Sequence, residues 1–260
     1  MAQTSEPSED VCLFPCEVWD RSRDLEGELL AGSNIQVGPH EIKLYYAKEL
    51  ADHLDPNDLG LRIWPGTHAM VHLLLKLAGD KGLQGKSVLD VGCGTGFVGL
   101  VASKLGATSV CLSDRPGKSL VLAQLNAEAN GKTLPPKGKV EVKALSWGSG
   151  KVDEVEKDFE VLLLSEVLYV AQPSCVPWTL DDAELLSLAQ LTKSKLTADG
   201  EAWVTYGNRE AGGGEQFQRA VEAVGLHFEE LPLEEIIPAE ILHGATHALR
   251  RVRIFRLRHQ

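Results

Sequence analysis

Residues 88–99 read Val-Leu-Asp-Val-Gly-Cys-Gly-Thr-Gly-Phe-Val-Gly. Apolar residues lead into an acid, three glycines follow at alternate positions, and a second apolar run begins at once. This order predicts a buried strand that ends in a tight turn and continues into a helix, because glycine lets the backbone turn sharply and approach a ligand. The stretch therefore predicts an α/β fold with a ligand site at the end of this strand.

A second acid stands at the end of the next apolar run. Asp114 closes the run Ser109-Val110-Cys111-Leu112-Ser113. It follows the glycine turn by about twenty residues, the spacing expected for a carboxylate that accepts hydrogen bonds from ribose hydroxyls. The two stretches together predict a ligand that contains adenosine. A glycine turn that binds nothing is the alternative.

Asp90 separates the two classes of ligand that such a turn can hold. A dinucleotide would place its diphosphate at the helix N-terminus. The pattern Gly-x-Gly-x-x-Gly fails when it starts at Gly92, because its third position is Phe97, and matches when it starts at Gly94. A carboxylate beside the turn repels a diphosphate and attracts a cation such as the α-ammonium of an amino acid. The predicted cofactor is therefore S-adenosylmethionine, which carries an ammonium, a ribose and a sulfonium but no phosphate.

The glycine turn resembles motif I of the seven-β-strand, class I methyltransferases that use S-adenosylmethionine, and Asp114 resembles their ribose-binding acid. The resemblance implies that the cofactor lies beyond the carboxyl ends of the strands of an open sheet. It assigns the cofactor to the following residues of the turn: Asp90, Gly92, Cys93, Gly94, Thr95 and Gly96.

Strands and helices alternate regularly from residue 86 onward. Strands are predicted near 86–91, 109–114, 139–145, 160–165 and 201–206, and helices near 97–105, 117–130, 182–195 and 214–224. This alternation predicts a parallel sheet with helices on both faces. Leu226 to Leu231 and Arg251 to Leu257 are two strand-like runs without a clear helix between them, so we expect them to pair antiparallel. The predicted fold is α/β and Rossmann-like, with seven mostly parallel strands and, as the resemblance implies, an antiparallel last strand.

The predicted methyltransferase domain covers residues 35–260. Residues 1–34 are predicted to be an N-terminal extension that is partly disordered, because the first ten residues are polar and acidic. Alternating residues on either side of Gly38-Pro39 predict a small hairpin. The apolar stretch 69–77 predicts a helix, which Pro65 would begin.

Two more strand ends supply candidate site residues. The third strand ends at Ser146-Trp147, where the family contacts adenine, often through an Asp followed by Trp. The resemblance implies that Ser146 bonds the adenine edge and that Trp147 packs on the ring; a tryptophan that wedges a loop onto the core is the alternative. The fourth strand ends at Ser165-Glu166, and Tyr169 completes a Glu-x-x-Tyr that resembles the Asp-x-x-Tyr of protein methyltransferases. Ser165 is thereby assigned to the cofactor, and Glu166 and Tyr169 are the predicted catalytic residues, which position the substrate amine.

The pair Trp64-Pro65 supports the same group of enzymes. Protein methyltransferases of this kind carry a Trp shortly before the first helix, and the resemblance implies that Trp64 covers the cofactor. Enzymes of the superfamily that methylate nucleic acid bases carry Asn/Asp-Pro-Pro-Tyr or Phe at the end of the fourth strand. This chain has neither proline there, which disfavours a base as substrate.

Composition limits the partners and the compartment. The chain has 260 residues and a formal net charge of −11, which disfavours nucleic acid and suits a basic protein partner, with plain solubility as the alternative. No apolar run has the length of a membrane span, so no membrane partner is expected. Five cysteines with irregular spacing indicate a reduced protein of the cytoplasm or nucleus. No metal site is predicted: Cys12 and Cys16 lack a second pair, and Glu240, His243 and His247 fit a polar helical face better than a ligand set.

These observations predict a monomeric, S-adenosylmethionine-dependent protein N-methyltransferase that methylates a lysine side chain. The runner-up is a small-molecule methyltransferase, which performs the same reaction on another acceptor. Two more functions stay open at this point: a nicotinamide-dependent oxidoreductase and a catalytically silent cofactor-binding module.

Overall fold

The computed structural model describes most of the chain. The described residues are 16–25, 28–47, 59–133, 138–148, 151–168, 180–207 and 213–260. Among them, no helix has both the length and the apolar character that crossing a bilayer requires. Two sheets organise these residues.

The smaller sheet lies at the N-terminus and has three antiparallel strands. They are β1 (Cys16–Leu25), β2 (Glu28–Val37) and β3 (His40–Ala47). Gly38 turns the chain between β2 and β3 with a φ of 55°, a left-handed value that glycine adopts readily, so the predicted hairpin is confirmed. The boundary predicted between the extension and the domain, at residues 34 and 35, lies inside β2.

The larger sheet has seven strands and the predicted Rossmann-like topology. Its strands are β4 (Ser87–Val91), β5 (Ser109–Asp114), β6 (Lys139–Ala144), β7 (Phe159–Ser165), β8 (Leu196–Gly207), β9 (Leu226–Leu231) and β10 (Val252–His259). They lie in the order β6-β5-β4-β7-β8-β10-β9. The first five are parallel, and β10 runs antiparallel to both of its neighbours. The order reverses direction at β4, so the ends of β4 and its neighbours form the crevice where open α/β sheets bind ligands.

Seven α-helices connect the described strands. They are α1 (Pro65–Gly79), α2 (Phe97–Lys104), α3 (Lys118–Asn130), α4 (Asp182–Lys195), α5 (Gly213–Ala223), α6 (Ala239–Gly244) and α7 (His247–Arg250). The first five agree with the predicted helices. The short α6 and α7 lie between β9 and β10, where the sequence shows no clear helix. Their weak signal follows from their length, six and four residues, which is too short for an apolar stripe to repeat.

Side chains of the central strands divide the core into two layers. In β7, Val161 and Leu163 pack into one apolar cluster and Leu162 and Leu164 into the other. Since both faces are covered, the apolar run has no polar alternation, which is why the sequence shows four consecutive apolar residues there.

Two asparagines of α3 attach the small sheet to the glycine turn. Asn126 accepts a hydrogen bond from the Tyr45 backbone N–H at 2.7 Å and donates to the Tyr45 carbonyl at 3.0 Å and to the Thr95 carbonyl at 2.8 Å. Asn130 pairs in the same two-way manner with Lys43, at 3.0 and 2.7 Å. Both amides are fully buried. The backbone N–H and carbonyl groups of Lys43 and Tyr45 at the edge of β3 are thus hydrogen-bonded by side chains of α3. These bonds attach the small sheet to the ligand-binding end of the molecule.

Candidate active site

A cleft of about 370 Å³, including its open mouth, lies at the carboxyl ends of β4 and β7. Eight residues named by the sequence line it: Trp64, Asp90, Gly92, Cys93, Gly94, Thr95, Ser165 and Glu166. Four further residues line it that the sequence reasoning did not assign: Gly60, Arg62, Thr67 and Val98. The structure therefore brings the turn after β4, the end of β7 and the start of α1 around one space.

The glycine turn has the left-handed backbone that its sequence predicts. The φ angles of Gly92, Gly94 and Gly96 are 66°, 53° and 77°. A Cβ on Gly94 would lie 2.7 Å from the carbonyl oxygen of Gly60, and a Cβ on Gly92 would lie 2.7 Å from Val167. Glycine is required here both by the turn and by the close approach of other chain segments.

Asp90 is buried at the floor of the cleft. One carboxylate oxygen, Oδ2, accepts a hydrogen bond of 2.9 Å from the Gly99 N–H in α2. The other oxygen, Oδ1, is buried and has no hydrogen-bond partner in the part of the chain that the structure describes. Burial raises the pKa of Asp90 to about 7, the Gly99 N–H opposes this rise, and the charge of Asp114 adds to it. A cation in the cleft would supply the missing partner and stabilise the ionised form.

Asp114 is held against the glycine turn. Its Oδ2 accepts from the Gly94 N–H at 2.8 Å and its Oδ1 from the Arg115 N–H at 2.8 Å. Burial raises its pKa above the usual range, and the two N–H donors counter that rise. The carboxylate is therefore fixed next to the turn, although it is not among the residues that line the cleft.

The residues just before α1 form another part of the cleft lining. Trp64 is the N-terminal cap residue of α1, and its indole N–H donates to the Leu59 carbonyl at 2.9 Å. The Arg62 guanidinium lies over the Trp64 ring, 5.6 Å from its centroid. Both residues line the cleft, so this aromatic and cationic pair borders the same space as Asp90.

The residues predicted to hold adenine lie beside the cleft. The Ser146 hydroxyl oxygen accepts from the Val152 N–H at 2.9 Å, and the Ser146 N–H donates to the Val152 carbonyl. The Trp147 ring lies 3.6 Å from the position that a Cβ on Gly92 would take. Trp147 therefore reaches the glycine turn, whereas Ser146 pairs with Val152. Neither lines the cleft, and Gly96, which caps α2, does not line it either.

Ser165 and Glu166 close the cleft at the end of β7. The Ser165 hydroxyl lies 3.3 Å from that of Thr205. Glu166 is 6% exposed and has a φ of 59°, in the left-handed region that a side chain with a Cβ rarely adopts. Its Oε1 accepts from the Gly66 N–H at 2.6 Å and its Oε2 from the Gly207 N–H at 3.2 Å. Tyr169 lies outside the described residues.

Cys93 and Thr95 support the turn. The Cys93 N–H donates to the Ser113 carbonyl at 2.8 Å, and burial raises the pKa of its thiol, so the thiolate is disfavoured. The Thr95 hydroxyl accepts from the Phe97 N–H at 3.3 Å. These contacts keep the turn in shape at the start of α2.

Arg62 is the most informative residue that the sequence reasoning missed. A signal was present, because the residue stands two positions before Trp64 in a segment already singled out. Nothing in that pattern said that the guanidinium would stack on the indole. The sequence reasoning also missed Gly66 and Gly207. Their N–H groups both donate to the Glu166 carboxylate, although 141 positions separate the two glycines.

A family model described as lysine methyltransferase matches residues 49–182, slightly more than half of the chain. The ribosomal protein L11 methyltransferase of Stenotrophomonas maltophilia (strain K279a) is 38% identical over 135 residues, which cover 46% of this chain and 43% of that protein. The protein of the same name from Xanthomonas axonopodis pv. citri (strain 306) is 44% identical over 122 residues, covering 44% and 39%. The chain thus spans less than half of these relatives.

Two solved structures show the same fold. The ribosomal protein L11 methylase of Lactobacillus delbrueckii subsp. bulgaricus is 18% identical, with a TM-score of 0.51, over 86% of this chain and 97% of its own. The magnesium protoporphyrin IX methyltransferase of Synechocystis PCC 6803, solved with bound SAM, is 14% identical, with a TM-score of 0.52, over 81% and 87%. At these identities the likeness concerns the fold alone.

Proposed function

This chain belongs to the lysine methyltransferase family, and we propose that it transfers a methyl group from S-adenosylmethionine to a lysine side chain of a protein substrate. The observation that carries the proposal is the Asp90 carboxylate, which lies at the floor of the cleft with one buried oxygen lacking a hydrogen-bond partner among the described residues. An ammonium group is the natural partner for such an oxygen.

The residues around the cleft fit this cofactor. Asp90 would accept from its α-ammonium, and Asp114 would accept from its ribose hydroxyls. Arg62, which also lines the cleft, is suited to its carboxylate. Trp64 lines the cleft and Trp147 reaches the glycine turn, so both offer aromatic surface to the cofactor. The positive and the negative group of the cofactor's amino-acid end would thus each meet a protein side chain of opposite charge.

A diphosphate ligand suits the turn poorly. The N–H groups that would bind it are used within the protein: Gly94 donates to Asp114, Gly96 to the Cys93 carbonyl and Gly99 to Asp90. Asp90 also adds negative charge at the N-terminus of α2, where a diphosphate would lie. These contacts argue against a nicotinamide-dependent oxidoreductase.

The bound cofactor would supply a methyl group on a sulfonium, which an amine attacks in line so that a C–N bond forms while the C–S electron pair returns to sulfur. The protein's part is to align the two groups and exclude water. A lysine amine has to be neutral to attack, and burial in the cleft lowers its pKa. The resemblance of Glu-x-x-Tyr to the motif of protein methyltransferases supports a substrate amine that lies near the end of β7.

A protein acceptor is supported by the family description and by the names of the curated relatives. The net charge of −11 favours a basic partner surface. We further propose that the protein is a monomer and does not bind nucleic acid.

Calorimetric titration tests the cofactor, and labelling tests the acceptor. The wild-type chain should bind S-adenosylmethionine and not NAD. Asp90→Asn should weaken that binding, while Glu160→Gln, at the opposite end of β7, should not. Incubation with methyl-labelled S-adenosylmethionine and a cell extract should then label a protein band on a gel, and hydrolysis of that band should give methyllysine. Label found only in small molecules would favour the runner-up, and NAD binding would refute the proposal.

A further inference from the structure

Glu166 occupies an unusual position at the edge of the cleft. It follows β7 directly, is 6% exposed, and has a backbone φ of 59°. A residue with a Cβ adopts this conformation at a steric cost, and it persists only where surrounding contacts enforce it. Its own N–H donates to the Thr205 carbonyl at 2.8 Å, which is one such contact. The conformation directs the side chain across the sheet, away from its own strand.

The carboxylate of Glu166 lies between two glycines that fit it closely. A Cβ on Gly66 would lie 2.6 Å from Oε1 and 2.8 Å from Cδ, and a Cβ on Gly207 would lie 3.0 Å from Oε1. Any larger residue at position 66 would collide with the carboxylate. The two backbone N–H groups reach the oxygens because both residues lack a side chain.

One of these N–H groups belongs to the first turn of α1. Gly66 is the second residue of this helix, and Pro65 is the first. The first N–H groups of a helix have no partner within it and carry partial positive charge, so a carboxylate there is stabilised. The residue that precedes the helix is Trp64, which lines the cleft together with Arg62.

We infer that Glu166 is a positioning residue: it ties the first turn of α1 to the ends of β7 and β8 and thereby holds Trp64 and Arg62 against the cofactor. This inference rests on the proposed function and revises the role that the sequence gives to Glu166. Each carboxylate oxygen accepts a backbone N–H from this part of the structure, so on this inference the side chain acts on the reaction through the cofactor wall.

The length of the Glu166 side chain determines which N–H groups its carboxylate can reach. An aspartate at this position would be shorter by one carbon–carbon bond, about 1.5 Å. It could not keep both oxygens at hydrogen-bond distance from Gly66 and Gly207.

Two variants and one control test the inference in the full chain. Glu166→Gln keeps one acceptor, Glu166→Asp shortens the reach, and Glu160→Gln removes a carboxylate of the same strand that accepts from the Ser87 N–H at 3.0 Å, away from the cleft. The measurements are the Kd for S-adenosylmethionine by calorimetry, hydrogen exchange of the peptide that covers residues 64–68, and labelling of protein by methyl-labelled cofactor at saturating concentration.

The expected result is a split between binding and turnover. Glu166→Asp should raise the Kd roughly tenfold, the effect of losing a hydrogen bond to a charged acceptor, with a smaller rise for Glu166→Gln. Exchange at residues 64–68 should become faster in both, and labelling should return to the wild-type rate when the cofactor saturates. Glu160→Gln should change none of these.

Two other outcomes are informative. An unchanged Kd combined with slow labelling at saturating cofactor would overturn the inference and restore Glu166 to the substrate amine. A wild-type chain that fails to bind S-adenosylmethionine would refute the proposed function. In that case hydrogen exchange still tests whether Glu166 holds the first turn of α1 in place. Unchanged protection of residues 64–68 in Glu166→Asp would overturn that inference.

Discussion

Replacing Asp90 with Asn should stabilise the free protein and weaken cofactor binding at the same time. The pKa of Asp90 is raised from 3.8 to about 7, chiefly by burial. Between these two values the folded chain keeps a proton that the unfolded chain releases, so the stability of the folded state falls as the pH rises through this window. Above pH 7 the full penalty is present, and the difference between the two pKa values corresponds to about 4 kcal/mol.

An asparagine removes this penalty but introduces another. Its Oδ1 can accept from the Gly99 N–H as Asp90 does, while its amide NH₂ takes the buried place where Oδ1 of the acid has no partner. A buried donor without an acceptor costs about 1–3 kcal/mol. The net gain at pH 8 is therefore about 1–3 kcal/mol. At pH 5 most of the acid's penalty has gone, and the two forms should be nearly equal.

The cofactor should respond in the opposite direction. An ammonium about 4 Å from the carboxylate is attracted by about 4 kcal/mol at an effective dielectric constant of about 20, before desolvation is subtracted. A charge-assisted hydrogen bond measured by mutation is smaller, about 1.5–3 kcal/mol, so the Kd should rise roughly 10- to 150-fold at pH 8. The wild-type Kd should improve as the pH rises through 7, because Asp90 ionises, and the variant should lose this dependence.

Thermal unfolding without cofactor at pH 5 and pH 8, and calorimetric titration at pH 6 and pH 8, measure both effects. For a chain of this size each kcal/mol corresponds to about 2–4 °C in Tm. Glu160→Gln is the control, because the pKa of Glu160 is lowered, first by its bond to Lys86, so its loss should not stabilise the fold. A Tm that falls at pH 8 in Asp90→Asn, or a cofactor Kd that does not change, would refute the reasoning.

Three further variants test the site and its supports. Asp114→Asn should raise the Kd for S-adenosylmethionine roughly tenfold, since an uncharged acceptor bonds ribose hydroxyls less strongly; calorimetry measures it, and an unchanged Kd would remove the ribose assignment. Gly66→Ala should destabilise the protein by about 1–3 kcal/mol, because the new methyl would meet the Glu166 carboxylate, whereas Gly79→Ala in the same helix meets nothing within 4 Å and should be neutral or stabilising. Chemical denaturation compares the two, and equal effects would contradict the close fit. Asn126→Ala should lower the free energy of unfolding by about 2–4 kcal/mol, because it removes three buried hydrogen bonds to the backbone; a loss under about 1 kcal/mol in denaturant would show that water replaces the amide.

The elements around the glycine turn could be predicted closely because their signals are local. The strand ending at Val91, the helix starting at Phe97 and the unbroken apolar run of β7 each depend on residues within one short window. The prediction that Asp90 meets a cation has the same local basis, since its charge and its place beside the turn are both properties of the sequence. The short α6 and α7 were missed because four to six residues contain too little repetition.

The contacts that shape the cleft wall belong to the tertiary structure alone. Gly66 and Glu166 are 100 residues apart and Asn126 and Tyr45 are 81 apart, yet each pair shares a hydrogen bond within 3 Å. A carboxylate or an amide can bond any N–H that the fold brings to it, and its residue type does not specify which one. The sequence by itself determined the strands, the turn and the charge at its floor, because backbone preference and periodicity act over a few residues. Only the folded chain decided that Glu166 faces two glycine N–H groups and that Arg62 stacks on Trp64, because those contacts depend on where distant segments meet.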